Sequence, residues 1–265
     1  MKFIPLYTFL LAAVFTCQTA SATLILSDNF NTANDLNDDL GSRQGGTAAT
    51  QDWITDGRGT VSIVNNRLNL DDGGGNDDIN AAVDYDFAGD PDLLDFGEFT
   101  VSFDLDPSSP GNYSYFGLGH GTLVGDRAAI DPAGDFGILT SASGRLNVRA
   151  GGSTVSDQSN GLSYNTGLNA VELTVTTTAF SSGTAFTVGM TLNGGTVDLD
   201  PNTGANTFSS TWDAGGTNYI WLSDRGAVSE FDNFEVAAVP EPATAALFAG
   251  ALAVVGALGR WSRRV

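Results

Sequence analysis

Val188-Gly189-Met190-Thr191-Leu192, Asn193-Gly194-Gly195 and Thr196-Val197-Asp198-Leu199 run on from one another, and this stretch decides the fold class. Apolar and polar residues alternate on both sides of an Asn-Gly pair. Alternation places successive side chains on opposite faces of a strand. Asn-Gly supplies the two positive-φ residues of a tight hairpin. The same pattern recurs outward in both directions, in Val61–Leu70, Ala82–Phe87, Phe99–Leu105, Tyr113–Leu118, Phe136–Thr140, Leu146–Arg149, Ala170–Thr177, Tyr219–Leu222 and Phe231–Val236. Asn65-Asn66, Pro107-Ser108-Ser109-Pro110-Gly111 and Ser143-Gly144 punctuate these runs as turns. Short strands with such spacing predict an all-β, two-sheet antiparallel β-sandwich over 23–238.

Composition agrees. The chain has 265 residues, 42% hydrophobic but only 16% charged, with 33 Gly. Of 11 cations and 31 acids, four cations and one acid lie in the end segments 1–22 and 240–265; the remainder is seven Arg, no Lys and 30 acids, a net −23. A body this acidic repels a phosphate backbone, so nucleic acid is excluded as a partner. Cys17 is the only cysteine, so the body has no disulfide to lean on.

The two ends read as targeting segments. Lys2, an apolar run from Phe3 to Phe15 and Ala20-Ser21-Ala22 predict a signal peptide over 1–22. At the other end, Pro240-Glu241-Pro242 precedes 17 uncharged residues, Ala243 to Gly259, and then Arg260, Trp261, Arg263 and Arg264. Seventeen helical residues reach about 26 Å, near the lower limit for crossing a bilayer. The Arg cluster would stay cytoplasmic and leave the preceding domain outside. The prolines keep the junction extended and open to a processing enzyme.

Pro240-Glu241-Pro242, the short Ala/Gly/Leu/Val helix over 243–259 and the flanking Arg260, Arg263 and Arg264 resemble the PEP-CTERM sorting signal of Gram-negative bacteria. That resemblance implies a partner protease, the exosortase. It also implies transient anchoring in the inner membrane through the tail 239–265, and a place on the cell surface or in the extracellular matrix beside exopolysaccharide. It implies an address and not an activity. Asp28-Asn29-Phe30 near the start and Phe231-Asp232-Asn233-Phe234-Glu235-Val236 near the end look like the first and last strands of a concanavalin A-like, LamG-like jelly roll, strands that often pair.

Glu230-Phe231-Asp232-Asn233-Phe234-Glu235 resembles the E-x-D-x-x-E active-site strand of family 16 glycoside hydrolases, where two glutamates and an aspartate carry retaining hydrolysis. Strict alternation puts Glu230 and Asp232 on one face and Glu235 on the other, unless a bulge near Asn233 turns Glu235 round and lets both Phe231 and Phe234 reach the core. As the last strand, this segment is expected at a sheet edge, away from any cleft. The sequence is therefore read as non-enzymatic, a binding or structural module, with the carbohydrate-active enzyme as the alternative.

Other chemistry is sparse. Asp198, Asp200 and Asn202 space three oxygen ligands at alternate positions, a pattern that suits calcium; the plainer reading is an Asx-rich turn. Asp28 with Asp232 is a second calcium candidate that would staple the two ends of the domain, and Asp71–Asp78 is an acidic loop. His120 is the only histidine, which leaves no zinc site and no hydrolase triad. Tyr113, Tyr115, Trp212, Tyr219 and Trp221 are the aromatics available to stack on sugar; alternation puts Tyr219 and Trp221 on one face.

Mass spectrometry of the mature protein from its native host is expected to find a C-terminus near Pro240. Intact Val265 on most molecules would contradict the sorting reading.

Overall fold

The structure is a computed structural model that describes residues 22–31, 44–46, 53–57, 59–73, 78–83, 86–94, 97–107, 112–120, 135–151, 153–213 and 218–239. The expected signal peptide with Cys17, the Pro240-Glu241-Pro242 motif, the helix over 243–259 and the terminal arginines lie outside the described residues. Among the described residues no helix is long and apolar enough to cross a membrane.

The strands in chain order are β1 (Thr23–Asp28), β2 (Gln44–Gly45), β3 (Trp53–Gly57), β4 (Thr60–Val64), β5 (Arg67–Asp71), β6 (Asp78–Val83), β7 (Glu98–Asp106), β8 (Tyr113–His120), β9 (Phe136–Thr140), β10 (Leu146–Ala150), β11 (Ser153–Gln158), β12 (Asn169–Thr177), β13 (Ala185–Leu192), β14 (Gly195–Val197), β15 (Phe208–Thr211), β16 (Asn218–Arg225) and β17 (Val228–Ala238). A 3-10 turn (Phe87–Gly89) and one helical turn (Pro91–Leu94) stand between β6 and β7. The quoted hairpin forms as expected. Leu192 pairs with Gly195, and Asn193 and Gly194 take φ values of 51° and 76°.

The strands make two antiparallel sheets. The ten-stranded sheet runs β14-β13-β12-β7-β17-β1-β2, with β15 beside β13, and β5 carrying β4 beside β17. The seven-stranded sheet runs β11-β10-β9-β8-β16-β6-β3. The expected pairing of first and last strands is present, Thr23 against Ala238 through Asp28 against Phe234. The expected edge position of the last strand is not. β17 pairs with β7 along one side, and with β5 and then β1 along the other, so it lies inside the sheet. Sequence order does not dictate spatial order in a jelly roll, because long connections return late strands to the middle.

The inward faces of the two sheets share one core. β7 alternates strictly, with Phe99, Val101, Phe103 and Leu105 buried. Phe103 meets Phe116 of the opposite sheet at 5.0 Å and Phe231 at 5.8 Å. Trp212 is core rather than surface: it stacks on Phe186 at 4.1 Å, and its Nε1 donates to Thr177 Oγ1 at 2.9 Å. Polar groups also bridge the layers. Ser114 Oγ of β8 lies 2.6 Å from Ser229 Oγ of β17, and Ser229 in turn bonds Asp224.

Asp28 also faces this core, because its cross-strand partner is the inward Phe234. Trp53 Nε1 donates to its Oδ2 at 2.8 Å and the Phe30 N–H to its Oδ1 at 2.9 Å. Trp53 packs on Phe30 at 5.7 Å and on Phe234 at 5.3 Å. Asp28→Ala strands two buried donors, each worth about 1–3 kcal/mol. The expected loss in denaturant unfolding is about 3 kcal/mol; a loss below about 0.5 kcal/mol would show that this acceptor is dispensable.

Candidate functional site on the outer sheet faces

A bulge decides where the carboxylates of β17 point. Asp232 pairs with Asp104 and Glu235 with Ser102, so three steps along β17 match two along β7. Asn233 is the extra residue, at φ 49°. The outcome is the one a bulge at Asn233 was expected to give. Phe231 and Phe234 both enter the core, and Glu235 joins Glu230 and Asp232 on the outer face of the ten-stranded sheet.

The surroundings of this acidic row are polar. Asp106 stands opposite Glu230 and Asp104 opposite Asp232. Arg67 Nη1 donates to Glu230 Oε2 at 2.5 Å, with both side chains about one-third exposed, at 32% and 28%. Asn233 Nδ2 donates to Asp104 Oδ2 at 2.7 Å, and the Asn233 N–H to Asp232 Oδ1 at 2.8 Å. Partial burial pushes Asp232 up, Asp104 adds to the shift, and the Asn233 N–H opposes it. Burial likewise pushes Asp106 up, with Glu230 adding and Arg67 opposing. Among the described residues, the outward neighbours of this row are Ser102, Asn69 and Glu172, and no aromatic ring stands beside it.

The calcium candidates stand apart. Asp28 and Asp232 sit on opposite faces of the ten-stranded sheet, the one buried and the other outward. Asp198 Oδ1 accepts the Asp200 N–H at 3.0 Å, and Asp200 bridges to Ala205. Asn202 is exposed in the turn between them. Among the described residues no three His, Cys, Asp or Glu side chains gather to hold a metal ion.

The outer face of the seven-stranded sheet differs in kind. Tyr115, Leu139, Ala82 and Trp221 form a second apolar cluster, separate from the core, with Ile54, Tyr113 and Tyr219 packed on its margin. Tyr219 and Trp221 share this face, as alternation predicts. Trp221 is 2% exposed, whereas Tyr113 and Tyr219 are half-buried and reachable. Trp221 Nε1 is buried with no hydrogen-bond partner, as are both amide atoms of Asn80. Buried donors without partners are rare, because each forfeits its bond to water.

Arg145, Arg149 and Arg225 sit here too, and Arg145 and Arg225 each meet an acid. Arg145 forks onto Asp157 at 2.9 and 2.7 Å and donates to Tyr113 Oη at 2.8 Å. Arg225 lies 3.5 Å from Asp78. Burial pushes the Tyr115 hydroxyl up to about 12, with Asp78 adding to the shift and Arg225 opposing. The sequence marks Tyr113, Tyr115, Tyr219 and Trp221, all on this face, but not Asn80, which carries no motif.

No family model matches the chain, and no curated protein matches it. Among solved structures it is similar to a Bacillus subtilis protein of unknown function with a galectin-like fold, 13% identical at a TM-score of 0.45, covering 71% of this chain and 89% of that one. It is also similar to peanut lectin with a nine-residue peptide, 11% identical at a TM-score of 0.45, covering 70% and 91%. A third is the binding domain of botulinum neurotoxin serotype C1, 12% identical at a TM-score of 0.43; 86% of this chain spans about half, 51%, of that one.

The acidic row sets a pH dependence. Asp106 and Asp232 have folded pKa values above the ordinary 3.8, so their ionisation opposes folding at neutral pH. That opposition is fully present above the raised folded values and disappears as pH falls towards 3.8. Asp232→Asn and Asp106→Asn are therefore expected to raise the melting temperature at pH 7 and to leave it unchanged at about pH 3. Destabilisation at pH 7 would contradict this electrostatic reading.

Proposed function

We propose that the chain is an exported surface or matrix protein, associated with exopolysaccharide, whose sandwich is a non-enzymatic saccharide-binding module. The observation that carries the reading is the aromatic cluster outside the core, on the outer face of the seven-stranded sheet. Sugar rings present apolar C–H faces to aromatic rings and hydroxyls to polar groups at the ring edge. Tyr113 and Tyr219 supply reachable rings, and the Trp221 N–H supplies an unsatisfied donor. The expected sorting tail supports the export half, with an exosortase-type protease as the partner that cuts it.

A second reading, the carbohydrate-active enzyme, is favoured by the bulge, which puts Glu230, Asp232 and Glu235 on one face of an interior strand. Retaining hydrolysis needs two facing carboxyls and a cleft that grips sugar. Here Arg67 engages Glu230, and no aromatic neighbour stands beside the row among the described residues. The binding reading accounts for more of the surface.

Residues 23–239, tested on a glycan array and against β-glucans, agarose, carrageenan and the host polysaccharide, separate the two readings. Retention is expected to fall about tenfold in the Tyr113→Ala, Tyr219→Ala double variant and to stay unchanged in Glu230→Gln. Turnover that Glu230→Gln abolishes with the fold intact would promote the enzyme instead.

A further inference from the structure

The chain contains two Asn-Gly pairs, Asn160-Gly161 and Asn193-Gly194. An asparagine before glycine is open to spontaneous loss of its amide, because glycine has no side chain to keep its backbone nitrogen from the asparagine Cγ. Both asparagines are exposed turn residues, so access to water does not separate them. Their side-chain bonds do.

Asn193 is built into the end of its hairpin. Its N–H donates to Ala170 O at 2.8 Å, its Oδ1 accepts the Ala170 N–H at 3.0 Å, and its Nδ2 donates to Asn169 Oδ1 at 2.9 Å. Asn169 is itself fully buried and held: its Oδ1 also accepts the Asn165 N–H at 2.7 Å, and its Nδ2 donates to Gly167 O at 2.6 Å. The Asn193 amide is therefore clamped at both atoms to a fixed part of the fold. Asn160 stands in the turn after β11, and its side chain makes no hydrogen bond to any described residue. A Cβ on Gly161 would come within 2.7 Å of Leu146 Cβ, so packing requires glycine there and keeps the reactive pair in the fold.

We propose that Asn160 is a site of spontaneous deamidation in the folded protein and that the fold spares Asn193. The Gly161 nitrogen attacks Asn160 Cγ. The N–Cγ bond forms, the Cγ–Nδ2 bond breaks, and the amide nitrogen leaves as ammonia with the proton that Gly161 gives up. The cyclic imide then takes up one water. Opening at Cγ yields aspartate, and opening at the backbone carbonyl yields isoaspartate, in which the chain runs on through Cγ. Nothing is oxidised or reduced, and water is the only co-reactant. Asn193 must first break two side-chain hydrogen bonds to reach the same geometry, which slows it about thirtyfold. The product at Asn160 brings a new carboxylate beside the 144–146 segment, where Leu162 N–H meets Gly144 O and Arg145 holds Asp157. The inference stands apart from the saccharide-binding reading.

Full-length protein aged in mildly alkaline buffer, with and without concentrated urea, tests this by mass spectrometry of its chymotryptic peptides and by isoaspartate methyltransferase labelling. In the folded protein the Asn160 peptide is expected to convert about thirtyfold faster than the Asn193 peptide, and in urea the two are expected to convert at similar rates. Equal rates in the folded protein overturn the proposal, as does an Asn160 amide that survives there while urea releases it. A gap that persists in urea also overturns it, because the sequence and not the fold would then set the difference. Melting temperatures give a second readout. Asn193→Asp is expected to melt several degrees lower or not to fold, since it deletes the Nδ2 donor and sets a carboxylate against Asn169 Oδ1, whereas Asn160→Asp is expected to melt as the wild type does. An Asn193→Asp variant as stable as the wild type, or a destabilised Asn160→Asp, would show that the side-chain bonds do not divide the two sites.

Discussion

The ten-stranded sheet depends on one strand. β17 holds β7 along one side and β5 and β1 along the other. Without it, β1 with β2 and β4 with β5 have no path to β7, β12 and β13. The chain closes its larger layer only when its last strand arrives, and the strand must then serve neighbours on both sides. That double duty explains the bulge. One extra residue at Asn233 lets Phe231 and Phe234 both enter the core while the ladder to β7 continues.

The bulge has a second consequence, which is to gather Glu230, Asp232 and Glu235 outward. A shared face alone does not make a catalytic site. The row lies among Ser102, Asn69 and Glu172, with Arg67 engaging Glu230. The opposite outer face carries the aromatic cluster and the unsatisfied indole N–H. The sandwich thus has one outer face rich in charge and another rich in rings. Saccharide recognition draws on rings backed by a few placed polar groups, which is why the second face carries the functional reading.

Much of the fold is legible in the sequence. β7, β12 and β13 alternate cleanly because one face of each is core and the other is wet. β11 reads Ser-Thr-Val-Ser-Asp-Gln, and its inward residue is Ser156 while Val155 is 43% exposed, so hydropathy points the wrong way. The interior position of β17 is not legible, since alternation reports faces and says nothing of neighbours. The need for a bulge is legible, because two phenylalanines three apart cannot otherwise both be buried. Within the candidate site, Tyr219 and Trp221 follow from period two. The close approach of Trp221 to Gly117 does not, because glycine has no hydropathy to alternate and only the register between β8 and β16 sets the two opposite each other.

The account stands on the claim that saccharide is held on the aromatic face and not on the acidic one. Backbone amide shifts in an NMR titration with a soluble neutral β-glucan oligosaccharide test it directly. The account predicts that the shifts concentrate at Tyr115, Gly117, Gly137, Tyr219 and Trp221, with Glu230 to Glu235 unmoved. Shifts centred on Glu230, Asp232 and Glu235, with Tyr219 and Trp221 unmoved, would contradict it.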